Sequence, residues 1–320
     1  MKLMELAGVE RFAITDRASW LKRREQDVTA SVAAALFGPE IHPHMTPYGL
    51  WALKRGLLTD DGNETPAMRR GRLLEPIALQ LLQEEKPDWV IAPHPFYYRD
   101  GEMRLGASPD ALASRPDISG IGVVQLKTVG QWAFKRGWRD ADGEVEIPLW
   151  IAVQASVEAA LTSSKWASAA AMALGDGGLD MHVIDVPLRP QLMVKLRALV
   201  ADFWRRVEAD DPYPPDYGKD AATLARVCAD DDGGETDLTG NERATQLINL
   251  REALKATETL GALAAKERKP LDAEIMHLLG NAARGTLGDG RVVTAKTVKR
   301  GEYVVKATSY RAIKVTGGQA

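Results

Sequence analysis

Cysteine is almost absent from this chain: Cys228 stands alone among 320 residues. A lone thiol closes no internal disulfide, builds no cysteine-based zinc site and anchors no four-cysteine iron–sulfur cluster. Histidine is sparse as well. The nearest pair, His42 and His44, flanks a proline in "IHPHMTP", short of the three or four converging ligands that zinc requires. Long apolar runs are missing, since "SVAAALFG" and "WASAAAMALG" fall well below the roughly 18 residues of a membrane span. The opening "MKLMELAGVERF" carries acidic residues and no unbroken apolar stretch. Neither a signal peptide nor a membrane role is expected, and the expected location is cytoplasmic. Charge of one sign is not in excess either, with 41 Lys and Arg against 44 Asp and Glu for a net −3. That balance exerts no global pull on nucleic acid, although an average conceals any local basic groove.

What is present is a soluble globular composition, 45% hydrophobic and 27% charged, with chain enough for one large core or two smaller ones. From Asp16, "DRASWLKRREQDVTASVAAALFG" reads as a basic helix, a polar break and a second helix capped by Thr29 or Ser31. Another helix is expected from about Tyr48 to Arg55. "MRRGRLLEPIALQLLQEE" has helical periodicity through Leu74, Ile77, Leu81 and Leu82, with Pro76 tolerable in a first turn and otherwise a kink. "WVIAPHPFYYRDGEMRLGASPDALAS" reads as two strands joined at Asp100-Gly101, and "IGVVQLKTV" and "MHVIDVPL" as further strands. "IPLWIAVQASVEAALTSS" and residues 190–208 return to helix. This order implies an α/β core with a mixed sheet over residues 1–210. Residues 211–239, rich in Pro, Gly and Asp, read as a linker, and 240–320 as a long charged helix interrupted at Pro270 and followed by a β-hairpin extension.

Within the strand "GVVQLKTV", Val123, Gln125 and Lys127 share one face and Val124, Leu126 and Thr128 the other. An amide and an ammonium therefore stand together on one side of an apolar strand. Glu75, Asp110 after "ASP", and Gln154 within an apolar helical stripe of Trp150, Val157 and Leu161 complete a set of polar residues in the core. Each has a structural reading: Glu75 as complement to a helix N-terminus, Asp110 as a turn residue, Gln125 and Lys127 as the wet face of an edge strand, Gln154 as a satisfied core amide. Together they can hold a hard cation. Magnesium takes oxygen ligands, with one or two carboxylates completed by phosphate and water. Asp110 offers a carboxylate, Gln125 an amide oxygen, Leu126 its backbone carbonyl, and Glu75 a carboxylate acting directly or through water. Lys127 can orient or deprotonate an attacking water, which makes the reaction metal-assisted phosphodiester hydrolysis.

The segments "GRLLEPIA", "RLGASPDAL", "VVQLK" and "WIAVQASV", with "WLKRREQDVTAS" ahead of them, resemble the YqaJ-type viral recombinases that include lambda exonuclease, within the PD-(D/E)xK nuclease superfamily. The resemblance covers roughly residues 16–210. It implies an α/β, restriction-endonuclease-like core with a mixed central sheet flanked by helices, and a C-terminal extension. It implies Mg²⁺, or Mn²⁺, at Asp110 and the position of Gln125, Glu75 and Gln154 nearby, Lys127 as the catalytic lysine, and Arg24, Ser31 and Ser108 on the 5′-terminal phosphate. The activity it implies is a 5′-to-3′ double-strand DNA exonuclease of phage-type recombination, in a bacterial or phage-infected host cell. An endonuclease or nickase of the same fold and a non-cutting DNA-end binding module stay open. So do a homo-oligomeric ring and a single-strand annealing protein as partner, for which the Lys/Arg-rich strands near the C-terminus offer a surface.

This chain departs from the family pattern at one place, because Gln125 stands where relatives are expected to carry Glu. The exchange keeps an oxygen and the shape while removing one negative charge beside the cation. A Gln125→Glu variant is therefore expected to cleave linear duplex as well as the natural chain or better, at lower Mg²⁺. Loss of cleavage in a folded variant, followed by gel assay across Mg²⁺ and Mn²⁺ titrations, overturns the ligand role of position 125.

Overall fold

The computed structural model describes residues 8–58, 64–175, 177–257, 261–299 and 309–316. The first of two units, Met1–Leu50 with Asp60–Asp211, begins with β1 (Val9–Ala13), α1 (Arg17–Glu25), β2 (Val28–Thr29), the short α2 (Ala30–Ala33) and a single 3₁₀ turn, Ala34–Phe37. The helix α3 (Pro47–Lys54), whose residues from Trp51 on count with the second unit, follows, then α4 (Pro66–Glu85). Thr65 caps α4 by accepting the Met68 N–H at 3.2 Å, with Pro66 in its first turn. That start is earlier than the periodic residues indicate, so Glu75 and Pro76 lie mid-helix and Glu75 complements no helix N-terminus.

Four strands follow where two were expected: β3 (Val90–Pro93), β4 (Phe96–Asp100), β5 (Leu105–Ala107) and β6 (Ala111–Arg115). The cause is in the two prolines. Pro95 and Pro109 have no N–H to give a ladder, and the chain changes sheet at each. β4 and β5 join β1 and β2 in a four-stranded sheet ordered β1-β4-β5-β2. β3 and β6 join β7 (Ile118–Gly130), β8 (Trp166–Gly175) and β9 (Gly178–Asp185) in a five-stranded one ordered β3-β6-β7-β8-β9. Between β7 and β8 come α5 (Gln131–Gly137) and α6 (Leu149–Thr162), and α7 (Pro190–Ala209) ends the unit. In the larger sheet β7 runs parallel to β8 and antiparallel to β6. This mixed sheet flanked by helices is the α/β architecture that the family resemblance implies.

β7 is central and covered on both sides. Val123 packs with Phe134, Ile151, Ala155 and Ala159 of α5 and α6, while Val124 and Leu126 pack with Ala78 and Leu82 of α4. The alternation read from the sequence is thus two buried faces, and the wet-edge reading of Gln125 and Lys127 is wrong. β8 is built from alanines, Ala169, Ala171 and Ala173 toward α6 and Ala170 toward α4. Alanine favours helix, but here its small side chain lets helices approach the sheet on both faces, and tertiary packing overrides the propensity. α6 is buried along nearly all its length, touching β7 and β8 on one side and α2, β4 and β5 on another.

The second unit, Trp51–Thr59 with Pro212–Ala320, holds α8 (Ala221–Val227), β10 (Glu235–Leu238), α9 (Glu242–Thr257), α10 (Ala262–Leu279), β11 (Arg284–Leu287), β12 (Val292–Lys299) and β13 (Ser309–Thr316). Its sheet is ordered β10-β11-β12-β13, and its core joins Leu238, Leu247, Ile248, Ile275, Leu279 and Val293. Residues 211–239 are therefore more than a linker, because the buried Leu224 and Cys228 anchor α8 and β10 enters the sheet. Pro270 does not interrupt the helix but lies inside α10, which begins at Ala262 after Gly261. Among the described residues no helix is long and apolar enough to cross a membrane.

One glycine fixes how closely β7 meets its neighbour. Gly122 lies opposite Trp166 in the β7–β8 register, and a Cβ on it would run into the Trp166 indole. Gly122→Ala is expected to destabilise the fold by about 1–3 kcal/mol through overpacking, read as a lowered denaturant midpoint at unchanged slope. An unchanged midpoint removes this packing constraint.

Candidate functional site

The amide and the ammonium on β7 belong to one polar seam beneath α6. Gln125 is 2% exposed and uses its whole amide. Nε2 donates to Asp110 Oδ2 and, at 3.3 Å, to the Leu126 carbonyl, while Oε1 accepts from Gln154 Nε2 at 2.7 Å. The Leu126 N–H donates to the same Asp110 Oδ2 at 2.7 Å. Lys127 Nζ donates to Gln154 Oε1 at 3.0 Å and lies 5.3 Å from the centre of the Trp150 ring. Glu158, which the sequence motifs do not mark, accepts from Gln154 Nε2 at 2.9 Å and is buried. Its signal in the sequence is spacing: four residues after Gln154, it shares that residue's helix face.

Burial sets the electrostatics. The Asp110 and Lys127 residues are partly open, but their ionising ends are desolvated, which pushes the Asp110 carboxyl up and the Lys127 ammonium down from their ordinary values. Each charge partly offsets the other's shift. Glu158 is raised well above a normal carboxyl, first by burial and then by Asp110. Glu75 stands apart on an exposed stretch of α4; desolvation of its carboxyl, then the Asp110 charge, raises it too. Asp110, Gln125, Leu126, Lys127 and Gln154 are thus brought together, and Glu75 reaches them by charge alone.

Among the described residues no group of three or more His, Cys, Asp and Glu side chains has the geometry of a metal site. The donor set here is of another kind. The Gln125 –NH₂ faces a carboxylate oxygen and a backbone carbonyl at once, the place a small cation would take. The two ends of an amide have the same shape, so a half-turn of Gln125 puts a third oxygen there. Asp110, the Leu126 carbonyl and Gln125 therefore offer the oxygen chemistry that a hard cation takes.

A second cluster forms around α1 and α2. Arg24 Nη2 donates to Ser31 Oγ at 3.1 Å and reaches Thr29 Oγ1 at 3.5 Å, and its guanidinium stacks 4.5 Å from the Trp20 ring centre. Trp20 Nε1 donates to Ser108 Oγ at 2.9 Å. Arg24, Ser31 and Ser108 thus meet in one half-buried patch of donors, with Thr29 and Trp20 added. Thr29 leads into α2, but its hydroxyl makes no cap bond and instead meets Ser31 Oγ at 3.0 Å. Asp27, fully buried, anchors this segment by accepting from Arg99 Nε at 2.9 Å and Tyr97 Oη at 2.8 Å.

His42 supports the same patch. Its Nε2 meets the Ser31 carbonyl at 2.9 Å and so carries the proton, while Nδ1 accepts the His44 N–H at 3.1 Å. Both ring nitrogens are occupied.

Residues 19–165 match the YqaJ-like viral recombinase domain. No curated protein matches the chain. Among solved structures it is similar to an alkaline exonuclease from Laribacter hongkongensis, at 20% identity, covering 61% of this chain and 94% of that one with a TM-score of 0.45. The same exonuclease in complex with dAMP gives 22% identity over 65% and 100% of the two chains and a TM-score of 0.44.

Burial first, against the hydrogen bond to Ser31, pushes the His42 imidazole down to about 4. Unfolding returns it toward 6.5, so the unfolded chain binds the extra proton and stability present above 6.5 is lost as pH falls toward about 4. Denaturant unfolding across that window is expected to show the decline, and His42→Gln, which keeps a donor for Ser31, to flatten it. An identical pH slope in the variant overturns the assignment.

Proposed function

From the match of residues 19–165 to the YqaJ-like viral recombinase domain, we propose that this chain is a metal-dependent 5′-to-3′ double-strand DNA exonuclease that acts on 5′-phosphorylated ends. One observation carries the reading. Ser108 belongs to the donor patch and Asp110, two residues on, to the oxygen set, so a single turn of chain ties a phosphate-binding cluster to a cation-binding one.

Asp110, the Leu126 carbonyl and Gln125 would hold Mg²⁺ or Mn²⁺, with Glu75 beside them. When bound, the cation polarises the scissile phosphodiester and lowers the pKa of water. Lys127, held by Gln154 and the Trp150 face, orients the attacking water and, with its proton affinity lowered by burial, can take a proton from it. Arg24 offers a planar fork to the terminal phosphate, and the Ser31 and Ser108 hydroxyls add donors. Gripping the end this way places the adjacent linkage at the oxygen set, which favours removal of nucleotides from a terminus. The reading extends to a homo-oligomeric ring around the duplex, to a single-strand annealing protein as partner, and to the cytoplasm of a bacterial or phage-infected cell. A non-cutting end-binding module is the second reading, favoured by the Gln125 nitrogen facing Asp110.

End-labelled linear duplexes bearing a 5′-phosphate or a 5′-hydroxyl test the proposal, with metal omitted in the control. The phosphorylated end is expected to be degraded about 10- to 100-fold faster, the worth of hydrogen bonds to a charged group, and Arg24→Ala to erase the preference. Equal rates, or cutting of closed circles, point to an endonuclease or nickase. Binding without product across Mg²⁺ and Mn²⁺ titrations points to the non-cutting module.

A further inference from the structure

Glu158 is the one acid of the seam that the proposed reaction leaves without a task. It is 1% exposed, and while Oε1 accepts from Gln154, Oε2 is buried with no hydrogen-bond partner. Buried carboxylate oxygens are satisfied in the great majority of structures, and an orphan calls for a physical reason. Packing does not supply one. The neighbouring Ala155 and Ala159 show that this part of α6 meets the sheet through small apolar side chains.

The hydrogen-bond order places Glu158 one amide away from position 125. Gln154 Nε2 is shared between Gln125 Oε1 at 2.7 Å and Glu158 Oε1 at 2.9 Å, and Gln154 Oε1 holds Lys127 at 3.0 Å. Asp110, Lys127 and Arg24 are all close enough to act on its charge, so Glu158 lies within the electrostatic reach of both the oxygen set and the donor patch. We propose that Glu158 is a positioning residue for the cation site, supplying from α6, through Gln154, the carboxylate charge that position 125 lacks.

This inference rests on the cation site proposed above. A strand amide next to a helix carboxylate keeps the charge total of the site while moving the acid out of direct contact. The Asp110 charge is the second cause of the raised Glu158 carboxyl, after burial. A cation beside Asp110 would oppose that second cause and so shift Glu158 toward its carboxylate form. Glu158 also fixes Gln154 with its nitrogen inward and its oxygen toward Lys127, so the same residue sets the acceptor that holds the lysine.

Calorimetric titration of the full chain with Mn²⁺, without DNA, tests the assignment apart from activity. Glu158→Gln is expected to weaken Mn²⁺ binding by about 10- to 100-fold, the usual effect of losing an outer-shell partner. Glu158→Asp, which keeps the charge, is expected to bind near the natural level. The double variant Gln125→Glu with Glu158→Gln, which moves the acid to the strand, is expected to recover what Glu158→Gln loses. Wild-type affinity in Glu158→Gln overturns the inference, as does a folded double variant as weak as Glu158→Gln. Where Glu158→Gln fails to fold, the Asp variant decides: a folded Glu158→Asp that loses Mn²⁺ overturns it. Natural chain that binds 5′-phosphorylated duplex but no Mn²⁺ sinks the cation site and this inference together, whereas Mn²⁺ binding insensitive to Glu158 sinks the inference alone.

Discussion

The desolvated carboxyl of Asp110 is the constraint from which the site follows. An ionised acid removed from water is tolerated only where N–H donors replace the lost hydration. The Leu126 backbone and the Gln125 amide do so. The demand then passes along the seam, since the Gln125 oxygen needs a donor and finds Gln154, and the Gln154 oxygen finds Lys127. No member can be changed without leaving its neighbour short, and a network of this kind holds its geometry through that mutual dependence. The seam closes because α6 lies directly over β7, which the alanines of β8 make room for.

Much of this was legible beforehand, and for identifiable reasons. The period-2 alternation of Val123, Gln125 and Lys127 placed amide and ammonium on one face, because strand geometry leaves no alternative. The stripe through Trp150, Gln154 and Val157 set Gln154 toward the sheet in the same way. What alternation does not encode is what covers a face. The wet-edge reading of Gln125 failed because strand order depends on non-local pairing: β7 lies between β6 and β8, and β8 comes from a segment 166–175 whose alanines look like helix. Glu158 was missed because a single acid in an apolar helix is ambiguous until its partners are known. In the second unit, local composition misled twice. The Asp- and Gly-rich stretch hides β10, and Pro270 is accommodated inside α10.

Two prolines set the path of the backbone into the site. Pro95 and Pro109 each end a ladder, so the β4–β5 pair lies in the small sheet while the flanking β3–β6 pair lies in the large one. The step at Ser108-Pro109-Asp110 hands the chain from the sheet that backs Arg24, Ser31 and Trp20 to the sheet that carries Gln125 and Lys127. The Ser108 end of the donor patch and the Asp110 carboxyl are thereby held at a spacing set by backbone. Asp27 secures the other end of the same arrangement through Arg99 and Tyr97 of β4, which supply donors that a fully buried carboxylate requires.

Gln125 can then be understood as a compromise between two states of one site. With no cation present, a glutamate there would set a second carboxylate against Asp110 in a desolvated place, where like charges repel strongly. An amide turns a donor to Asp110 and to the Leu126 carbonyl instead, so the seam is satisfied as it stands. On the proposed cation reading the amide would have to turn its oxygen inward, giving up the bond from Gln154, and it would bring no charge of its own. An amide at position 125 thus satisfies Asp110 by itself and, on that reading, lowers the intrinsic affinity for a cation. On the same reading, a carboxylate set back on α6, one amide away from Gln125, adds attraction for a cation without bringing the two acids into direct contact.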